Sequence, residues 1–150
     1  MSLASIFDIS GSAMTAQSIR LNTTASNIAN AQSAASSTDQ VYRGRHPVFA
    51  AVHQRVMNSD DHYWNTPMFS EQAESVGVSV PGIVESDAPL QKRYEPSHPL
   101  ADEQGYVNYP NVNVVEEMAN MISASRAFQM NVEVMNSAKQ MVQRVLTMGQ

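Results

Sequence analysis

Counted in alternating steps of four and three from Val114, the last forty residues place Val114, Met118, Met121, Ser125, Phe128, Val132, Met135, Lys139, Val142 and Leu146 on one line. A mostly hydrophobic period of about 3.5 residues, held for more than four heptads, is the seam of a long packed helix. Asn113 supplies an N-cap, and Glu116 stands three residues later as in a capping box. Glu116 and Glu117 also suit the positive end of the helix dipole, while Arg144 and Gly149 mark the other end. At about 1.5 Å per residue such a helix is roughly 50 Å long. A small domain does not cover that length, so something else must.

A second helix is predicted from Leu3 to Ala31. Phe7, Met14, Leu21 and Ile28 recur every seventh residue, and Ala4, Gly11, Ser18 and Ala25 do so on the adjoining row. Large and small side chains thus alternate along one seam, which lets a neighbouring backbone approach closely. The other faces carry Ser5, Ser12, Thr15, Gln17, Asn22, Thr23, Thr24, Ser26 and Asn27, polar but uncharged. A solvated face would be rich in Lys, Glu and Arg. Rows of hydroxyls and amides indicate faces covered by neighbours with which they hydrogen-bond. Ser, Thr, Asn and Gly are also weak helix formers, so this helix depends on packing for its stability. The simplest alternative, a closed hairpin of the two helices in a monomer, would leave their neutral backs wet.

Charge divides the chain the same way. Residues 1–38 contain only Asp8 and Arg20, and residues 111–150 balance Glu116, Glu117 and Glu133 against Arg126, Lys139 and Arg144. The middle therefore holds the whole net charge of −5 and is the part expected to face solvent. This acidity argues against nucleic acid as a partner. The sequence has no cysteine, so thiolate metal sites and disulfides are excluded. No apolar run is long enough for a direct membrane span. Ala29-Asn30-Ala31 has the form of a signal-peptidase site, but no basic region precedes it, so a cleaved signal peptide is not expected.

After Ala31 a small polar connector leads into short strand-like runs: Val41–Arg43, Val48–Val52, Val76–Val80, Ile83–Glu85 and Gly105–Tyr109. Gly44, Pro47 and Pro81-Gly82 break them, and Gln54–Ser75 has no period and reads as a long surface loop. The expected class is α+β: long terminal helices packing like a coiled coil, with an irregular β-rich middle. All four histidines, His46, His53, His62 and His98, lie in that middle without zinc-ligand spacing. His98 with Asp102 could be a base and its orienting carboxylate, but no nucleophile motif accompanies them. No catalytic residue, metal site or cofactor is expected. Six of the ten methionines fall on the last helix, where their flexibility suits irregular or non-identical neighbours.

Longer motifs then become legible. Ile6–Gln17, Arg20-Leu21-Asn22 and Ala25-Ser26-Asn27-Ile28-Ala29-Asn30 resemble the N-terminal signature of bacterial flagellar rod and hook proteins. Tyr42–Phe49, Tyr94–Asp102, Gly105-Tyr106-Val107, Pro110–Met118, Ser123–Arg126 and Asn131–Val134 resemble, more narrowly, the C-type subunits of the proximal rod. The resemblance covers both helices and most of the middle, fails over 54–75, and lacks the Thr-x-Gly-Tyr that often follows Asn-Ile-Ala-Asn in relatives. It implies a non-enzymatic subunit of the drive shaft that crosses the periplasm, exported by the flagellar type III apparatus. Its implied partners are other rod proteins, the basal-body adaptor protein and copies of itself. Terminal helices would form the tube wall and line the export channel, with the middle outside. The expected divisions are an axial helix and connector over 1–38, an outer module over 39–110 and an axial helix over 111–150.

The expected assembly interface comprises Phe7, Gly11, Met14, Ser18, Leu21, Ala25, Asn27, Ile28 and Asn30 on the first helix. On the last it comprises Val114, Met118, Met121, Ser125, Phe128, Val132, Met135, Val142 and Leu146. A free-standing coiled-coil adaptor is the alternative; a periplasmic enzyme using His98 and Asp102 is a third reading.

Overall fold

The computed structural model describes residues 3–53 and 75–148. Helix α1 spans Leu3–Asn30 and helix α2 spans Val114–Met148. Between them lie strands β1 (Arg45–His53), β2 (Ser75–Glu85), β3 (Gln91–Tyr94) and β4 (Tyr106–Tyr109). The architecture is α+β, as the periodicities predict. The irregular segment expected at 54–75 falls outside the described residues, except that Ser75 opens β2.

Each helix end has a local cause. Asn113 Oδ1 accepts the Val115 N–H at 3.1 Å, the N-cap read from the sequence. No glycine closes α1; the Asn30 amide and the Ser33 hydroxyl donate to the carbonyls of Ser26 and Asn30 at 2.8 and 2.7 Å. The helices run antiparallel. Asn27 bonds Glu117, Arg20 bonds Asn120, and Ile6 shares a surface cleft with Ala138, so numbers rise on one helix as they fall on the other. With 28 residues against 35, α2 runs about 10 Å beyond the start of α1.

Strands β1 and β2 form an antiparallel ribbon, Arg45 opposite Glu85 and Ala51 opposite Val78. The register slips between Val48 and Ala50, where Pro81 sits, so the proline's missing N–H falls at a bulge. Among the described residues the ribbon lies against α1 and not against α2. At its far end Val78 N–H donates to Ser12 Oγ at 3.1 Å, and Ser12 in turn donates to the Ile9 carbonyl at 2.9 Å. A Cβ on Gly77, whose φ is +149°, would collide with the Ser12 hydroxyl. Only glycine allows this approach. The covered face of α1 is therefore polar. Ser10, Thr23, Thr24 and Asn27 are buried, and Thr23 meets its hydroxyl's need by donating to the Ile19 carbonyl at 2.8 Å. Much of the covering that the uncharged rows called for is supplied by the chain's own ribbon.

Strands β3 and β4 form a second pair, Gln91 opposite Tyr109, joined to the connector by a bridge between Ala35 and Asn108. The strand β3 has no sequence signal, since Gln-Lys-Arg-Tyr is exposed along its whole length. Val41–Arg43, expected as a strand, is loop, because this stretch and Gly44 bond to side chains instead of a ladder. Tyr42 reaches Asn27, and Gly44 N–H donates to Asn111 Oδ1 at 2.8 Å. Asn111 also donates to the Ser86 and Ala88 carbonyls at 3.1 and 2.9 Å. A small second core of Val41, Val107, Tyr109 and Val112 is buried here. In the turn before β4, Asp102 Oδ1 accepts the N–H groups of Gln104 and Tyr106 at 2.9 and 2.8 Å. His98 Nδ1 accepts from Leu100 N–H at 3.2 Å. Both side chains thus hold the turn that presents Tyr106, the reverse of a base awaiting its orienting carboxylate.

Two measurements check this description. Gly77→Ala should destabilise the chain by about 1–3 kcal/mol in urea unfolding, and Gly77→Ala with Ser12→Ala should recover part of that. The hydrogen bond from Tyr109 Oη to Glu95 Oε2, at 3.0 Å, is the main cause raising the tyrosine pKa above its ordinary 10.0. The folded chain holds that proton more tightly than the unfolded one, so the contribution is whole below pH 10 and is lost as pH climbs through the folded value. Unfolding midpoints measured across that alkaline range should fall less steeply in Tyr109→Phe.

Candidate assembly interface

The side chain that joins α1 to both the ribbon and α2 is Asn27, 1% exposed. Its Oδ1 accepts Arg45 N–H at 2.9 Å and Tyr42 Oη–H at 2.8 Å. Its Nδ2 donates to the Arg45 carbonyl at 2.8 Å and to Glu117 Oε2 at 3.0 Å. Two donors and two acceptor sites are the whole capacity of an asparagine amide, and all four are used. One residue of α1 thereby fixes the base of the ribbon on one side and α2 on the other. Asn27, expected on the assembly surface, is instead spent inside the chain. Glu117 needs the same correction: it is 4% exposed and faces Asn27, so helix capping does not account for it.

This bond sets which stripe of α2 is covered. The half-buried row is Val114, Met121, Phe128, Met135 and Val142, as the heptad reading has it. The fully buried positions, however, are Glu117, Ala124 and Ala138, one residue before the expected second row. Alanine lets α1 come close where Met118 would hold it off. Met118 is accordingly 52% exposed, Ser125 and Val132 are half-buried, and Leu146, on the part of α2 that runs beyond α1, is 66% exposed. On α1, Phe7, Met14, Leu21, Ile28 and Asn30 are half-buried and Ser18 and Ala25 exposed. A Cβ on Gly11 would meet nothing within 4 Å.

The heptad reading missed a second stripe. Ile122, Met130, Val134, Met141, Val145 and Met148 are all about half exposed or more, in line with Met118. Their steps of three and four average about 3.7 residues, close to an eleven-residue repeat. Reading the helix at that period as well as at 3.5 would have found them. An apolar line of this length on a helix already covered along one side is a candidate interaction face. Ile122, Arg126, Met130 and Val134 border a shallow groove on it. Among the described residues no three His, Asp or Glu side chains gather as metal ligands, and no helix is long and apolar enough to cross a membrane.

Removing Asn27 should be costly out of proportion to its size. In Asn27→Ala the Glu117 carboxylate and both Arg45 backbone groups lose a buried partner, and at about 1–3 kcal/mol for each unsatisfied group a loss of at least about 3 kcal/mol is expected. Glu117→Gln keeps an acceptor for Asn27 and should stay within about 1 kcal/mol of the parent. Urea titrations followed by circular dichroism make the comparison.

Comparison with known proteins agrees with the residue reading. The family model described as flagella basal body rod protein matches residues 7–34, and that described as flagellar basal body rod FlgEFG protein C-terminal matches residues 103–148. The flagellar basal-body rod protein FlgC of Escherichia coli is 47% identical over 150 residues, covering 100% of both chains. That of Salmonella typhimurium is 46% identical over the same span, 100% of both chains. That of Borreliella burgdorferi is 37% identical over 157 residues, covering 100% of this chain and 99% of its own. With matches over its full length to proteins of one name, and with terminal helices that carry the rod signatures, the chain belongs to the FlgC family of flagellar basal-body rod proteins and is a structural subunit of the rod.

Proposed function

We infer that this rod subunit belongs to the proximal rod and assembles helically through α1 and α2, transmitting torque and lining the export channel. The observation that carries this reading is the outer stripe of α2, from Met118 at 52% to Met148 at 87% exposure, on a helix whose other side is occupied by α1. Fully burying a Met, Ile or Val contributes about 1.5–3 kcal/mol and about half that from a half-exposed start, so the line from Met118 to Met148 has to be covered over most of its length to offset the cost of association. The expected residues with free surface, Gly11, Ser18, Ala25, Met118 and Leu146, meet neighbours directly. The half-buried ones, including Phe7, Met14, Leu21, Phe128 and Met135, shape the helix pair from beneath. The module over 39–110 lies outside the tube, consistent with its acidity.

The partners in this reading are copies of the same chain, other rod proteins and the basal-body adaptor protein. Export through the flagellar type III apparatus brings the chain into the periplasm without a cleaved signal peptide. No observation favours the free-standing adaptor over this.

Met118→Asp and Leu146→Asp replace exposed side chains, so circular dichroism and the unfolding midpoint of the isolated chain should stay as they are. Cells dependent on either variant should fail to complete the rod and should not swim. Swimming at the parental rate would overturn the proposal.

A further inference from the structure

The groove on α2 has a charged centre. Arg126 is exposed between Ile122 and Met130, four residues to either side, and among the described residues the sole ion pair is Arg45–Glu85, so Arg126 stands without a carboxylate. This excludes the simplest occupant, a second α2 related by a two-fold axis. Antiparallel pairing about the groove centre would oppose Ile122 to Met130, as wanted, but would also set Arg126 against Arg126. The occupant must bring an acid and leave room for four large side chains.

The outer face of α1 meets both demands. Asp8, Thr15, Ser18, Asn22, Ala25 and Ala29 are exposed and, with Gly11, follow one another at alternating steps of three and four. That is a full heptad seam made of small residues, turned away from both α2 and the ribbon. Asp8 is the one acid on α1 and has no ion-pair partner among the described residues. Gly11 adds an independent sign. A glycine inside a helix costs stability relative to alanine, and here a side chain would meet open space within the chain. Its bareness serves nothing inside the monomer.

Resting on the rod-subunit reading above, we propose that the α2 groove of one copy receives the small-residue face of α1 of the next copy, Asp8 lying on the side of the basic residue Arg126. Because the two surfaces differ, the contact is head-to-tail and does not close on itself, which is the kind of interface that propagates into a helical array. Large side chains of α2 sit over Gly11, Ser18 and Ala25, where the helix backbones approach closely.

The absence of native cysteine makes the test direct. Two tagged forms are expressed together in flagellated cells, one carrying Met130→Cys and the other a cysteine at Asp8, Gly11, Thr15, Ser18, Asn22, Ala25 or Ala29 in turn. Successive seam positions lie about 5 Å apart along α1, so the series samples the registers that place any part of the seam from Asp8 to Ala29 over Met130. Oxidised, isolated basal bodies should yield a dimer bearing both tags from at least one pair. Basal bodies containing both forms but no mixed-tag dimer would overturn this pairing of faces while leaving the rod role intact; absence of the chain from basal bodies would sink the rod role itself. Capture of Met130→Cys by a protein of another mass, or by Met130→Cys of a second copy alone, would also overturn the pairing. Gly11→Leu gives a second readout: the isolated chain should unfold at the same temperature as the parent or higher, yet incorporation into basal bodies should fall at least tenfold. Normal incorporation would count against the proposal.

Discussion

The arrangement of the molecule depends on one saturated amide. Asn27 holds the Arg45 backbone at the start of the ribbon, the Tyr42 hydroxyl of the connector and the Glu117 carboxylate of α2, with distances between 2.8 and 3.0 Å. A buried polar group fully bonded in this way specifies position more sharply than apolar packing does, because any shift of one partner leaves an unsatisfied group. Helix α1 makes a further polar tie to α2 where Arg20 donates to Asn120 Oδ1 at 2.9 Å. Its register, and through that the alignment of the stripes left exposed, is set by the pairing of Asn27 with Glu117. Asn111 does the corresponding work for the middle, tying Gly44, Ser86 and Ala88 together at the point where the chain turns into α2.

The polarity of the two helices follows from three different coverings. On one side α1 meets α2 through small residues, Ala124 and Ala138 among them. On the second it meets the chain's own β ribbon, where Ser12 and Thr23 satisfy their hydroxyls on helix carbonyls and Gly77 permits contact. The third face of each helix is bare, and there the two differ, since α1 shows small residues and α2 shows Met, Ile and Val. Such exposure suits a structural subunit of a rod, since contact with other rod components would remove the apolar line of α2 from water.

Elements with a buried side were legible in the residues, down to the four-residue β4, and the fully exposed β3 was not. Both helices, the Asn113 cap and the strand runs around Val48–Val52 and Val76–Glu85 could be read because periodicity accumulates over many positions. The strand β3 could not, since an exposed edge of Gln, Lys, Arg and Tyr has no buried side to alternate with. Of the interface residues expected from the seams, the large row on α1 and the Val114–Val142 row on α2 lie half-buried, whereas Asn27 proved internal and the outer line through Ile122, Met130 and Val145 went unread. A heptad count assigns one stripe to a helix; α2 carries a second at a slightly longer period, and the two interleave.

By itself, the sequence determined the two long helices, the neutral ends and acidic middle, and the motifs of the rod family. These depend on local periodicity and composition, which each segment carries without reference to the rest. Only the tertiary structure decided that Asn27 and Glu117 bind each other, that Gly77 admits Ser12, and that α1 is clad by its own ribbon before any neighbour arrives. Those pairings join residues 90 and 65 positions apart. A helix period states that a face must be covered; which partner covers it is settled by the contacts that fit closely enough to satisfy every buried polar group.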